Sequence, residues 1–245
     1  MNKENILFAT IGLLLGLIIG FVATNQINRN GYMQMSANPT AQSGQPTQSA
    51  PNPVPLQGVK EQPSSANAPP NLQQRGAPQP QVQEAIDKAK NNPNDFDAQI
   101  AVGKLYLGIQ KNDDAAQYFD RAAALKPTKY EQIVMIGNGY FDSGKYEKSE
   151  KFYTQALTEK PNDVDVRTDL GLTFFLREPT DIERAIGEYQ KSLQINPVHE
   201  LTLQNLSAAQ ASKNDIQAMN ETLNRLEKVN PNNPVIAKFR TEFNK

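Results

Sequence analysis

Apolar positions are distributed in three different ways along this 245-residue chain. Residues 5–24, NILFATIGLLLGLIIGFVAT, form a run that no charged side chain interrupts. Twenty helical residues rise about 30 Å, the hydrocarbon thickness of a bilayer. The run therefore predicts an uncleaved transmembrane anchor over residues 1–24. A cleaved signal peptide is the competing reading. Its apolar core is shorter, about 7–15 residues, and it ends in a small-x-small site; here Phe21 sits two before Ala23. Lys3 and the terminal amine precede the run, Arg29 follows it, and the next basic residue is Lys60. That bias predicts a cytosolic N-terminus with the bulk of the chain outside. Gly12, Gly16 and Gly20 share one face of the run, and small faces let membrane helices approach closely. A homodimer through these glycines is the corresponding expectation.

Residues 25–81 carry no apolar stripe. They hold ten of the seventeen prolines, and their charges are Arg29, Lys60, Glu61 and Arg75. Stretches such as PTQSAPNPVPLQ cannot bury enough apolar surface to offset ordering entropy, so this zone reads as a disordered Pro/Gln-rich tether. A flexible chain of this length averages about 40 Å end to end.

From residue 82 to 245 the apolar residues return at helical spacing. Ile100, Val102, Leu105 and Tyr106 read as one amphipathic helix, and Phe119, Ala122, Ala123 and Leu125 as the next. No segment alternates strongly enough for a strand. Pro127, Pro161, Pro197 and Pro231 follow one another at 34, 36 and 34 residues. Ahead of the first lie Gly103, Tyr106, Ala115, Phe119 and Ala122. Ahead of the second, Gly137, Tyr140, Ser149, Tyr153 and Ala156 keep the same offsets. The third unit has Gly171 and Phe174, two extra residues near Pro179, then Ala185, Tyr189 and Ser192. The fourth substitutes Ser207, Gln210 and Met219 but keeps Leu203, Leu206, Leu223 and Leu226.

This period resembles the tetratricopeptide repeat family over about residues 96–231. The resemblance implies an all-α fold: a right-handed solenoid of helix pairs over 82–245. Its units fall at about 96–129, 130–163, 164–199 and 200–233, with flanking helices at 82–91 and 234–243. Val235, Ile236, Phe239 and Phe243 give the last helix its stripe, as a solenoid end requires. The resemblance also implies a concave groove lined by the first helix of each pair. On this chain it would present Ile100, Lys104, Leu107, Val134, Asn138, Phe141, Thr168, Leu172 and Phe175. One subclass of the family clamps a partner's terminal carboxylate with basic residues and asparagine. Only Asn138 fits that pattern, while Ile100 stands where a clamp lysine would be and Asp165 and Asp169 put acid where base is needed. The groove is expected to hold an amphipathic helix or extended apolar peptide instead.

Composition narrows the chemistry. Net charge is −1 overall and near −3 beyond residue 81, which argues against nucleic acid. There is no cysteine and one histidine, His199, so thiolate and multi-histidine metal sites are excluded. His199 reads as a surface or capping residue. Gly139, Gly144 and Lys145 match the core of a phosphate-binding loop, G-x-x-x-x-G-K. The helical period runs through the strand such a loop needs, and Tyr146 replaces its Ser/Thr, so no nucleotide site is expected. NLS at Asn205 and NET at Asn220 match glycosylation acceptors but fall inside predicted helices. Lys145, Glu147, Lys148, Glu150 and Lys151 read as a solvated face.

The sequence thus predicts a non-enzymatic, membrane-anchored adaptor, scaffold or co-chaperone. It would have no cofactor or metal and would bind a protein or peptide partner. The layout resembles bacterial inner-membrane proteins of this family, single-pass with the repeats in the periplasm. That likeness leaves open cytochrome c assembly, a translocon-associated role or a self-assembling scaffold.

Overall fold

Two short turns of sequence set the geometry of every unit. The first closes each helix pair. Gln110, Gly144 and Asn214 hold the same place in units one, two and four, and all have positive φ, between 60° and 72°. The next residue's N–H then reaches back to a carbonyl five residues earlier: Lys111 to Tyr106 at 2.9 Å, Lys145 to Tyr140 at 2.8 Å, Asp215 to Gln210 at 2.9 Å. Such reversal satisfies the free carbonyls at a helix end. Glycine enters the left-handed region without the Cβ penalty, which explains Gly144. In unit three a longer loop with a cis Glu178–Pro179 bond makes the equivalent closure, Asp181 N–H to Phe174 O at 2.9 Å.

The second turn separates units. It carries a proline, which cannot continue a helix, and often an aspartate that caps the next one. Asp95 accepts from the Ala98 N–H at 3.0 Å and Asp163 from the Val166 N–H at 2.9 Å.

The structure, a computed structural model, describes residues 80–243. Among them are ten helices: α1 Pro80–Asn91, α2 Phe96–Gly108, α3 Asn112–Ala124, α4 Tyr130–Asp142, α5 Tyr146–Glu159, α6 Val164–Leu176, α7 Ile182–Ile195, α8 Glu200–Ser212, α9 Ile216–Val229 and α10 Pro234–Phe243. The expected anchor, the tether up to residue 79 and the glycine face at Gly12, Gly16 and Gly20 lie outside the described residues. Among the described helices none is long and apolar enough to cross a membrane.

The helices pack as antiparallel pairs, α2 with α3, α4 with α5, α6 with α7 and α8 with α9. Each pair also packs on its neighbours in chain order, and α1 packs on α2. This is an all-α solenoid of the tetratricopeptide-repeat type. Close approach within a pair comes from a glycine facing a ring. A Cβ built on Gly103 would lie 2.5 Å from Phe119, on Gly137 2.8 Å from Tyr153, and on Gly171 2.6 Å from Tyr189. All three rings are fully buried. Gly139 does the same between units: its Cβ would lie 2.6 Å from Phe119. Phe119 thus sits between Gly103 of its own unit and Gly139 of the next. One core cluster unites Phe96, Ile100, Ala115, Phe119 and Ala122 with Ile136 and Tyr140 of the following unit. At the C-terminal end Ile236 and Phe239 are buried and Phe243 crosses the Phe239 ring edge-on at 5.9 Å.

Candidate functional site: the inward face of the first helices

The first helices α2, α4, α6 and α8 recur at one place in each unit, so their equivalent side chains line up on one face. The structure divides the nine predicted groove residues by exposure. Lys104 is exposed, and Leu107, Val134 and Asn138 are half-buried. Ile100, Phe141, Thr168, Leu172 and Phe175 are buried, none more than 6% exposed. Ile100 belongs to the core cluster between units one and two, with Leu107 packed against it. The Asn138 side-chain oxygen accepts the Tyr153 hydroxyl at 2.7 Å, which ties its amide to the second helix of the same pair. Phe141 packs edge-on against Tyr146 at 5.6 Å.

Thr168 has a different role from the one expected of a groove contact. Its hydroxyl lies 2.6 Å from Thr202 and 3.0 Å from Ser192, and donates to the Val164 carbonyl at 2.7 Å. The Thr202 hydroxyl lies 2.6 Å from His199 Nδ1, and His199 Nε2 lies 3.1 Å from Asp165. Polar groups of units three and four are thereby sewn together. His199 stands at the N-cap position of α8, though without a side-chain cap bond, and it is only 13% exposed, so of the two expected readings, surface or capping, the structure keeps the cap position and adds a link between units. An acid, a histidine and a hydroxyl in line invite comparison with a nucleophile relay. Here Thr202 is fully buried and bonded to Thr168, so this hydroxyl is not presented to a substrate.

Of the charges expected on a solvated face, Glu147, Lys148 and Lys151 are exposed, and several of the set also bridge units. Lys145 pairs with Asp113 at 2.7 Å, Lys148 with Asp120 at 2.6 Å, and Glu150 with both Arg177 at 3.0 Å and Arg184 at 2.7 Å. Asp120 also accepts the Tyr140 hydroxyl at 2.7 Å. Burial alone would raise the Asp120 carboxyl, but the Lys148 and Tyr140 hydrogen bonds outweigh it and hold it below the usual range. Burial and the bond to Asp120 push the Tyr140 hydroxyl up. Arg167 pairs with Glu188 at 2.8 Å with both side chains about 15% exposed, and also donates to the Pro161 carbonyl at 2.6 Å. The resulting network crosses every unit boundary from one to three.

The glycine–lysine motif resolves into packing. Gly139 lies inside α4 against Phe119, Gly144 is the left-handed turn residue, and Lys145 is the partner of Asp113. A helix stands where a phosphate loop would have its strand. Asn205 is fully buried within α8, so it is no acceptor for a glycan in the folded chain. Among the described residues no three acidic or histidine side chains gather as a metal site. A cleft of about 380 Å³ of mixed polar and apolar lining opens between α7, α8 and α9, with Gln190, Gln210, Thr222 and Arg225 beside Leu193 and Leu206. The Thr222 hydroxyl spends its proton on Gln210 at 2.8 Å.

Family comparisons agree with this geometry. Two tetratricopeptide-repeat matches cover residues 79–129 and 133–163. No curated protein matches the chain. Among solved structures, YrrB, described as a TPR protein with an unusual peptide-binding site, superposes with a TM-score of 0.55 at 14% identity. The likeness covers 65% of this chain and 81% of that one. MamA (41-end) from Desulfovibrio magneticus RS-1 gives a TM-score of 0.54 at 19% identity, over 65% of this chain and 89% of that one. At these identities the likeness is one of fold.

Proposed function

We propose that this chain, which belongs to the tetratricopeptide-repeat family, is a membrane-anchored adaptor that holds protein partners on the inward face of its first helices. The observation that carries the reading is the recurrence of apolar side chains on that face in successive units. At the positions the repeat period assigns to that face, Leu107 and Val134 are half-buried, Phe141, Leu172 and Phe175 are buried, Lys104 is exposed and Asn138 is half-buried. Apolar side chains recurring in this way suit an amphipathic helix or an extended apolar segment, read out at helical spacing. The half-buried Leu107 and Val134 are the contact residues, and the buried rings shape the floor beneath them. The peptide-binding description of YrrB is in keeping with this use of the fold.

Anchoring rests on residues 5–24, whose length and lack of charge suit a bilayer span. The charge bias of the flanks supports a single-pass topology with the solenoid on the extracytoplasmic side of a bacterial inner membrane. A tether of about 40 Å r.m.s. then keeps the groove near membrane-proximal clients, where an effective concentration on the order of millimolar compensates for modest affinity.

The test is photo-crosslinking in cells from a benzoylphenylalanine in place of Val134, with Gln155 on α5, an exposed residue, as the control. Discrete adducts from position 134 and none from 155 are the expected outcome. Adducts from 155 alone, or from neither position, refute the groove.

A further inference from the structure

The first and second helix of each unit meet through one recurring pair of positions, and the fourth unit fills it differently. In unit one Tyr106 of α2 stacks on Tyr118 of α3, with ring centroids 5.5 Å apart. In unit two the same positions are Tyr140 of α4 and Phe152 of α5, at 5.6 Å. Unit three keeps Phe174 of α6 and covers it with guanidinium groups, Arg184 at 3.8 Å and Arg177 at 5.1 Å from the ring centre. In unit four the period brings Gln210 of α8 to the place of that ring. Thr222 of α9 takes the place of Tyr118 and Phe152, and Ala218 that of Arg184. An amide, a hydroxyl and a methyl group now stand where the other units have rings and a cation.

The cleft between α7, α8 and α9 opens at this place, with Gln210, Thr222 and Ala218 in its lining. Both α7 and α9 pack on α8. Leu193, Leu206, Gln210 and Thr222 make the floor, none of them more than 8% exposed. Gln190, Glu221 and Arg225 are exposed at the rim. One polar group on the floor is unsatisfied. Gln210 Oε1 accepts the Thr222 hydroxyl at 2.8 Å, but among the described residues none accepts from its Nε2.

We propose that this cleft binds a tyrosine side chain of a protein partner, which supplies from outside the ring that the fourth unit lacks. The site is built on second helices and stands apart from the inward face of the first helices. A volume of about 380 Å³ is at the small end of ligand sites, which suits one aromatic side chain and the backbone beside it. A planar ring is what the equivalent positions hold in units one to three. Arg225 in the lining offers a cation for the ring, as Arg184 does for Phe174. The Gln210 amide selects among aromatic residues. A phenylalanine ring would cover its free N–H and leave it without an acceptor, which costs binding. The indole of tryptophan is a donor only and would meet a donor. A phenol oxygen accepts from Nε2 and donates its own hydrogen to the Gln190 carbonyl or the Glu221 carboxylate at the rim.

The experiment titrates the full chain, isotope-labelled at its glutamine amides and held in dodecyl maltoside, with N-acetyl-tyrosinamide and with N-acetyl-phenylalaninamide. Nuclear magnetic resonance follows the glutamine side-chain signals, and that of Gln210 is identified by its loss in Gln210→Phe. The tyrosine amide is expected to shift the Gln210 signal saturably, and the phenylalanine amide to bind at least roughly tenfold more weakly. Gln210→Phe restores the ring of the other units and Ala218→Arg the guanidinium of unit three. Both are expected to abolish saturable binding, read at Gln190 and Gln194. Ala218 is half-buried, so its variant tests the site without a change in the floor. Leu107→Glu with Val134→Glu is expected to leave this binding intact, which separates the site from the inward face. No saturable shift in the wild type, equal affinity for the two amides, or undiminished binding in Ala218→Arg overturns the proposal.

Discussion

Replacing Gly171 and Gly187 by alanine is the same chemical change in adjacent helices, and the packing predicts opposite signs. In a helix interior alanine is favoured over glycine by about 1 kcal/mol. Gly187, within α7, has open space where its Cβ would go, with nothing within 4 Å. Gly187→Ala should therefore stabilise by up to about 1 kcal/mol. At Gly171 the new methyl lies 2.6 Å from Tyr189 Cε1 and 2.8 Å from Cδ1. Tyr189 is fully buried, so its ring has no free side to move to. Burial and the nearby Asp169 charge also push its hydroxyl well up, and the Asn205 amide only partly opposes them, so it is held as a neutral phenol. Overpacking of this kind costs about 1–3 kcal/mol. After the propensity gain, Gly171→Ala should be about 0–2 kcal/mol less stable than wild type. Urea unfolding read by circular dichroism measures both, with the slope checked for constancy. The decisive quantity is the difference between the two variants, about 1–3 kcal/mol. Equal stabilisation by both refutes the claim that the unit glycines exist for ring packing.

Asp163→Ala removes the α6 cap and the acceptor of the Tyr130 hydroxyl, 2.5 Å away. A loss of about 1–3 kcal/mol in the same unfolding assay is expected. Gly144→Ala forces a Cβ into φ 72° and should cost about 1–2 kcal/mol, offset little because the residue is outside a helix. Stability should fall below about pH 4. Asp120 is held low by Lys148 and Tyr140 against its burial, Asp113 by Lys145, and Glu227 by Arg240. A depressed carboxyl stabilises above its unfolded value and loses that contribution as pH falls through the folded one. Tyr130, raised first by burial and then by Asp163, and Tyr140 carry the opposite sign. They favour the folded chain below about pH 10 and cease to do so above it. Thermal midpoints across pH 2–11 check both limbs.

The repeat was legible because it is written in volume. A glycine opposite a ring, sixteen or eighteen residues on, needs no third partner to be recognised. Gly103 with Phe119, Gly137 with Tyr153 and Gly171 with Tyr189 were therefore readable as one pattern. Gly139 was not, since its ring belongs to the preceding unit and the in-phase pattern has no place for it. The ion pairs were hidden for a related reason. Lys145 and Asp113, or Arg167 and Glu188, lie 32 and 21 residues apart, and charge spacing within one helix says nothing about them. For His199 the cap position was legible but the links were not, since Asp165 and Thr202 meet it only after units three and four stack. For the groove, position in the period assigns which side chains are expected to turn inward. Their exposure depends on what lies over them, and so separated Leu107 and Val134 from Leu172 and Thr168 only in the folded chain.

The central claim is that partners bind the inward face of the first helices. Its most direct measurement is the affinity of the chain for a fluorescein-labelled, lysine-capped leucine–alanine helical peptide when that face is charged. Leu107→Glu combined with Val134→Glu is predicted to weaken binding at least roughly tenfold, while Gln155→Glu leaves it unchanged. Unchanged binding in the double variant, or an equal loss in Gln155→Glu, would contradict the account.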